Sequence, residues 1–226
     1  MPTEELSTVE ADVLQFMREE EKLAHDVYVN LYERWGVQIF TNIAQSEQRH
    51  TDAIKCLLDK YGLADPAEEL AEGVFSNPDL GALYLQLVAL GNQSLADAYQ
   101  VGATIEDLDI KDLQDLAATV DNQDIIAVFA ALERGSRNHL RAFTKQILAA
   151  GSTYTPLYIS TVDYEVIIAS PTERGGGLCS TSNGQNTSGN GNCQGNGVRP
   201  VMVASMVMAT EVAMVIEVDT KKPNTK

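Results

Sequence analysis

The chain is short of positive charge. It carries 16 Lys and Arg against 32 Asp and Glu in 226 residues, a formal net charge of −16. The shortfall is uneven: residues 1–150 hold 11 basic against 26 acidic residues, and the remainder 5 against 6. An acidic domain without a basic stripe has no electrostatic hold on nucleic acid or an anionic membrane, so neither is expected as a partner. Cysteine is scarce as well, with three residues and no Cys-x-x-Cys pair. Cys56 falls on a helical pattern and reads as a small core residue. Cys179 and Cys193 flank a Gly/Asn/Ser-rich segment and could pair in an exported protein. A secretory leader is not apparent, because Met1 to Ser7 is polar and leads straight into a helix. A cytoplasmic location is therefore expected, with export of a form carrying a leader as the alternative.

What is present is a run of long amphipathic helices. Hydrophobic residues are 44% of the chain, enough at this length for one good core plus an appendage. Ser7-Thr8-Val9-Glu10 is a capping box. Behind it Leu14, Met17, Glu21, Ala24, Tyr28, Leu31 and Trp35 recur every three or four residues, up to Gly36. A short link to about Phe40 makes the second helix antiparallel to the first. Its face is Ile43, Glu47, His50, Ile54, Leu57 and Tyr61, and it ends near Gly62. Residues 62–93 form a long connection with turn signals at Asp65-Pro66 and Asn77-Pro78 and a short apolar helix from Leu80 to Leu90, the length a crossover along a bundle needs. Ser94 caps the third helix, with Leu95, Tyr99, Gly102, Glu106, Asp109, Leu113 and Leu116 on its stripe. The alternating run Glu106 to Asp112 is read as helical because its flanks are. Asp121 or Asn122 caps the fourth helix, whose stripe is Phe129, Leu132, Ser136, His139, Phe143 and Ile147 and which runs to about Ala150-Gly151.

Several members of these stripes do not belong in an apolar core: Glu21, Glu47, His50, Glu106 and His139, with Asp109 three residues from Glu106. A buried carboxylate needs a partner, and a metal ion is a natural one. Glu47 and His50, three apart, project together from one helix and suit a transition metal. The structural alternative is an ion pair with Arg49, Arg137 or Arg141. A single Glu-x-x-His is weak evidence, but the same anomaly recurs on four helices. Glu20 reads as a solvated charge, and His25 as either a ligand or a hydrogen-bonded boundary residue. Ser136 stands where a second Glu-x-x-His would place its glutamate, and Glu133 points about 120° away from His139 at 100° per residue.

After Gly151 the character changes. Tyr154 to Ser160 is extended, with aromatics packing on the bundle, and Ser160 to Ala169 makes one short helix. The first domain is thus residues 1–171. Residues 172–226 form a low-complexity tail, Gly/Asn/Ser-rich over Gly175 to Gly197 and read as disordered. Residues 201–218 hold four of the six methionines and are too short and acidic for a membrane span. Read in the frame of each third codon base plus the next two, Met-Val and Met-Ala encode Gly, and Val-Met, Ala-Met and Val-Ile encode Asn, Asp, His or Tyr. This end is therefore read as a frameshifted continuation of the Gly/Asn repeat, which the nucleotide sequence would settle.

Glu on the first and third helices with Glu-x-x-His on the second, in four helices with one crossover, resembles the ferritin-like superfamily of carboxylate-bridged di-metal proteins. Glu21-Lys-Leu-Ala24-His-Asp-Val-Tyr28 is similar to the first-helix motif of rubrerythrins. EEEKLAHDVY, NIAQSEQRH, GATIEDLDIKDL and GSRNHLRAF together resemble a bacterial and archaeal ferritin-like domain family of unestablished function, over about residues 8–170. The resemblance implies an all-α, ferritin-like four-helix bundle with one long crossover carrying a short extra helix, plus an irregular C-terminal tail. It implies Glu21, Glu47, His50, Glu106 and His139 as ligands to two metals bridged by carboxylate. Ser136 departs from the superfamily pattern by removing one carboxylate, so the second ion is short of a ligand unless Asp109, His25 or water serves. The Cys-x-x-Cys electron relay of complete rubrerythrins is also missing.

The expected activity is that of a non-haem di-iron oxidoreductase reacting with dioxygen or hydrogen peroxide, supplied by an electron donor of unknown kind. Two iron ions are expected, with manganese or zinc as alternatives, and the chain is expected to form a homodimer. Tyr28 and Tyr99, one or two turns from ligands, would shape the pocket or relay electrons; otherwise they are core aromatics. The alternative classes are a metal-stabilised binding or surface module without turnover, and an iron-storage protein.

Overall fold

A computed structural model describes residues 5–175. Every regular element in them is a helix: α1 Thr8–Trp35, α2 Gln38–Tyr61, α3 Pro78–Gly91, α4 Leu95–Ala117, α5 Gln123–Ala149 and α6 Thr161–Ala169. The all-α class expected from the sequence is what is observed. The helix ends follow local chemistry. Ser7 and Glu10 form the reciprocal capping box, and Ser94, Asn122 and Ser160 accept backbone N–H groups at the starts of α4, α5 and α6. Gly36 and Gly62 end α1 and α2 with φ of 65° and 67°, a left-handed conformation that only glycine adopts without strain. No described helix is long and apolar enough to cross a membrane.

Side-chain contacts fix the directions. Gln15 bonds the Ala64 carbonyl, Arg18 that of Thr51, and Glu21 meets His50, so α1 and α2 are antiparallel. Gln114 with Glu133, Asp109 with Ser136 and Glu106 with His139 set α4 against α5 in the same way. Tyr28 reaches Gly102 and Glu106 across α1 and α4, while Glu47 meets His139 and Tyr61 meets Asn122 across α2 and α5. Hence α1 and α5 run one way and α2 and α4 the other. Only a long connection after α2 allows this, and residues 62–94 with α3 supply it.

That connection is tied to α1 by charged side chains that are themselves buried. Arg18 makes a two-pronged pair with Asp65, with both N–O distances 3.0 Å. Glu19 accepts from the Ser76 and Asn77 amides, Lys22 donates to Asp26 and to the Ala71 carbonyl, and Asp26 accepts from the Gly73 amide. The middle of α1 is therefore covered on every side, and Arg18 to Ala24 are all buried.

Beyond α5 the chain returns to the bundle through Asp107, which is fully buried. It accepts from the Tyr154 hydroxyl at 2.8 Å and from the Leu157, Tyr158 and Ile159 amides. Glu173 is held by Arg137 and Arg141, whose guanidinium groups pull its carboxyl down to about 2. The docked segment thus reaches Glu173. Cys56 is a correction: it is half-buried rather than a core residue. The Cys179–Cys193 pairing and the frameshift reading of 201–226 lie outside the described residues.

The core is two apolar blocks. One, around Val13, Leu14, Met17, Ile54, Leu58, Phe129 and Leu132, fills the end where α1 starts. The other, around Val27, Tyr28, Leu31, Phe40, Leu87, Ile110 and Phe143, fills the opposite end and the α3 side. A polar layer lies between them.

Candidate metal centre

The layer between the blocks is built from one or two residues on each long helix. Glu21 lies near the middle of α1. Glu47 and His50 share a side of α2 by their three-residue spacing. Glu106 and His139 come from α4 and α5. Relative exposure is 1% for Glu21 and Glu106, 2% for Glu47 and 3% for His50; the His139 side chain is 12% exposed. The structure brings these five sequence-predicted residues together.

Their geometry has an internal symmetry with Glu47 at its middle. His50 Nδ1 lies 2.7 Å from Glu47 Oε2 and 3.2 Å from Glu21 Oε2. His139 Nδ1 lies 2.7 Å from Glu47 Oε1 and 3.2 Å from Glu106 Oε2. The imidazole rings are 5.7 Å apart and near parallel. Two ligand groups result, Glu21–Glu47–His50 and Glu47–Glu106–His139, each with its donor atoms within 4.8 Å of one another. Among the described residues Glu21 Oε1 has no hydrogen-bond partner, and Glu47 Oε1 meets only the His139 nitrogen, outside hydrogen-bond geometry. Buried carboxylate oxygens left without a donor are costly. Two imidazole nitrogens and three carboxylates also form a donor set suited to borderline divalent metals. The residues present therefore fit a pair of metal ions sharing Glu47.

The charges of these groups shift one another. Burial alone would raise the Glu47 carboxyl, but the His50 and His139 imidazoles outweigh it and hold it below the usual range. Burial would lower both histidines, yet the carboxylates around them prevail: His139 is pushed up to about 10 by Glu47 and Glu106, and His50 also rises well above its ordinary value. Burial lifts Glu21 to about 7 against the pull of His50. These directions favour protonated imidazoles against the carboxylates when no metal is bound.

The surroundings of the centre differ on its two sides. Tyr28, fully buried, donates to Glu106 Oε1 at 2.5 Å and so fixes that carboxylate. On α5 the position equivalent to Glu47 is Ser136, fully buried, which bonds Asp109 Oδ2 and the Leu132 carbonyl. Asp109, expected among the ligands, stands outside both ligand groups with its Oδ1 unpartnered. Tyr99 stacks on Phe40 at 5.8 Å, two turns along α4 from Glu106, and so packs as a core aromatic. His25 pairs with Asp26 at the bundle boundary rather than with the centre. Glu133 pairs with Arg137. The arginines offered as alternative partners are occupied elsewhere or exposed: Arg137 and Arg141 hold Glu173, and Arg49 faces outward.

Two features escaped the sequence. Glu20, read there as solvated, is only 5% exposed, because the crossover and α4 cover that side of α1; it faces Asp112 across α1 and α4. Gly135 lies against His50: a Cβ there would come within 2.5 Å of His50 Nε2. The ring thus rests its Nε2 edge on bare backbone and turns Nδ1 to the carboxylates. An i−1 glycine before Ser136 carries no pattern that would have announced this.

Residues 10–171 match the family described as an uncharacterized protein domain, DUF2202. The chain is 54% identical over 175 residues to the uncharacterized protein MJ0754 of Methanocaldococcus jannaschii, covering 77% of this chain and 95% of that one. It is also similar, at 53% identity and a TM-score of 0.75, to the crystal structure of hypothetical protein MJ0754 from Methanococcus jannaschii, with 76% of this chain and 99% of that one covered.

Proposed function

The chain belongs to the DUF2202 family, and from that premise and the chemistry of the centre we propose a di-metal carboxylate protein of the ferritin-like, rubrerythrin-related kind. In this reading it is an oxidoreductase acting on dioxygen or hydrogen peroxide. The observation that carries it is Glu47, whose two oxygens each approach a different histidine at 2.7 Å while Glu21 and Glu106 close the two ends. Glu47 would bridge, with Glu21–His50 and Glu106–His139 as terminal pairs.

A bound pair of redox metals, iron before manganese, would supply the electrons that reduce the oxidant. The chain's own residues do the rest. Tyr28 holds Glu106 in place by its hydroxyl and keeps a proton at a ligand oxygen. Val27, Tyr28, Phe143 and Leu140 on one side and Met17 and Leu132 on the other exclude water from the layer. Ser136, smaller than a glutamate, leaves the α5 side of the pair less enclosed by carboxylate than the α2 side, which suits approach of a small oxidant there. Electrons must come from an external donor.

The test is anaerobic loading of the purified chain with Fe²⁺, elemental analysis, then addition of hydrogen peroxide with absorbance followed in time. Two irons per chain and oxidation within seconds are expected. Absence of metal after loading defeats the centre. Metal that raises the melting temperature without consuming peroxide defeats the oxidoreductase reading and leaves a metal-stabilised module.

A further inference from the structure

The centre is enclosed, yet a trail of unsatisfied carboxylate oxygens leads away from it. Along α4, acidic residues recur every third position: Glu106, Asp109, Asp112 and Asp115. Each step rises about 4.5 Å, and the row winds around the helix toward α1. It starts in the centre and ends at Asp115, whose side chain is 61% exposed and paired with Lys111. Glu20 on α1 joins the row at Asp112.

Among the described residues, none of the three intermediate carboxylates is ion-paired. Glu20 is 5%, Asp109 6% and Asp112 4% exposed. Among the described residues, no N–H or hydroxyl donor reaches Glu20 Oε2, Asp109 Oδ1 or Asp112 Oδ2. Glu20 and Asp109 line a cavity of about 20 Å³ between α1, α3 and α4, with Thr104 and Tyr158 adding hydroxyl-bearing side chains to a wall otherwise of Leu, Ile and Ala. That is room for one species the size of water. Glu20 and Asp112 can face one another only through a shared proton or a shared cation, since two bare carboxylates repel.

We propose that Glu20, Asp112 and Asp109 form a transit site for a divalent cation, which collects the ion at the α1–α4 face and passes it inward to Glu21. The proposal rests on the metal-binding reading of the centre. A buried pair of ions needs a route, and the donor-less oxygens of Asp112, Glu20 and Asp109 let a hard or borderline cation exchange one carboxylate for the next without standing bare in the core. The apolar wall around them keeps the ion on the oxygens.

Stopped-flow mixing of the metal-free, full-length chain with Co²⁺, followed by its visible absorption, reads the loading rate; elemental analysis reads the final stoichiometry. Glu20→Gln and Asp112→Asn keep shape and hydrogen-bonding capacity. Each is expected to slow loading about tenfold while two ions still bind at the end. Asp115→Asn, at the exposed mouth, should slow it about twofold. Loading of Glu20→Gln and Asp112→Asn at the wild-type rate overturns the route and assigns the pair a shared proton. Should one variant fail to fold, the other decides the question by the same criterion. Wild-type chain that takes up no Co²⁺, Fe²⁺ or Mn²⁺ defeats the centre itself, an outcome distinct from failure of the route.

Discussion

The same four long helices face each other in two different ways. Toward the start of α1 they meet through Leu14, Met17, Ile54, Leu58, Phe129 and Leu132, carbon against carbon. One to two turns further along they meet through Glu21, Glu47, His50, Glu106 and His139. The first contact is stabilised by burial alone, each large side chain contributing about 1.5–3 kcal/mol. The second gathers three carboxylates around two imidazoles and needs positive charge among them, which protons would supply in the metal-free chain and ions would supply under the proposed function. The apolar block therefore holds the helices together, and the polar layer uses that frame.

Removal of the shared ligand gives the largest separation of the two. Glu47 belongs to both ligand groups, so Glu47→Ala should weaken binding of both ions by at least about a hundredfold, more than loss of an outer-shell partner costs. Elemental analysis after dialysis against a limiting metal concentration measures this. Retention of one tight ion would mean that the two groups are independent, and Glu47 would not be a bridge. The converse change is Phe129→Ala in the apolar block, where Phe129 is 1% exposed. It should cost about 3–5 kcal/mol of stability and leave metal stoichiometry untouched. Denaturant melts with and without metal should show the same loss.

The apolar block was the more legible of the two regions. Its residues recur with helical period, and each carries its own evidence of burial. The five residues of the centre were legible too, because a carboxylate or imidazole on a buried stripe contradicts its surroundings. Periodicity describes one face of one helix, however, and is blind to a second layer. Glu20 shows the limit. It lies off the stripe of α1 and looked solvated, until the crossover, anchored by Arg18, Glu19, Lys22 and Asp26, covered that side. Asp107 is similar: no local pattern announces that Tyr154 to Ile159 will return and donate to it. Asp109 is the converse: it lies on the stripe, and Ser136 takes one of its oxygens.

Gly135 sharpens the comparison within the layer, where the two halves of the centre differ in what backs their imidazoles. A methyl group at 135 would meet the His50 ring at 2.5 Å. The ring must move, because the neighbour on that side is helical backbone. Gly135→Ala should lower affinity for the ion held by Glu21 and His50 about tenfold, and that for the ion at His139 by much less. Overpacking should cost about 1–3 kcal/mol in the metal-free chain. Titration with Co²⁺, resolving two steps where the wild type shows one, is the measurement; equal weakening of both ions would count against the assignment of His50.

Under the proposed function protons and ions would compete for the layer, and this predicts a pH dependence the apolar block lacks. His139 is raised from 6.5 to about 10, so its contribution is full below about pH 6.5 and is lost as pH climbs toward 10. Glu21, raised from 4.5 to about 7, contributes in the same direction, fully below about pH 4.5 and lost as pH rises through 7. Glu47, held low, has the opposite sign: its contribution is present above about pH 4.5 and is lost only in strong acid. Between pH 6 and 9 the first two dominate, and the melting temperature of the metal-free chain should fall by several degrees, about 4–8 °C for each kcal/mol in a small domain and less in one of this size. Metal needs the same nitrogens and oxygens unprotonated, so its stabilisation must grow over the same range. The gap in melting temperature between loaded and metal-free chain should therefore widen with pH. A constant gap would mean that the ions bind somewhere other than these imidazoles. The deficit of Phe129→Ala, measured beside it, should stay flat, because nothing in its block titrates over that range.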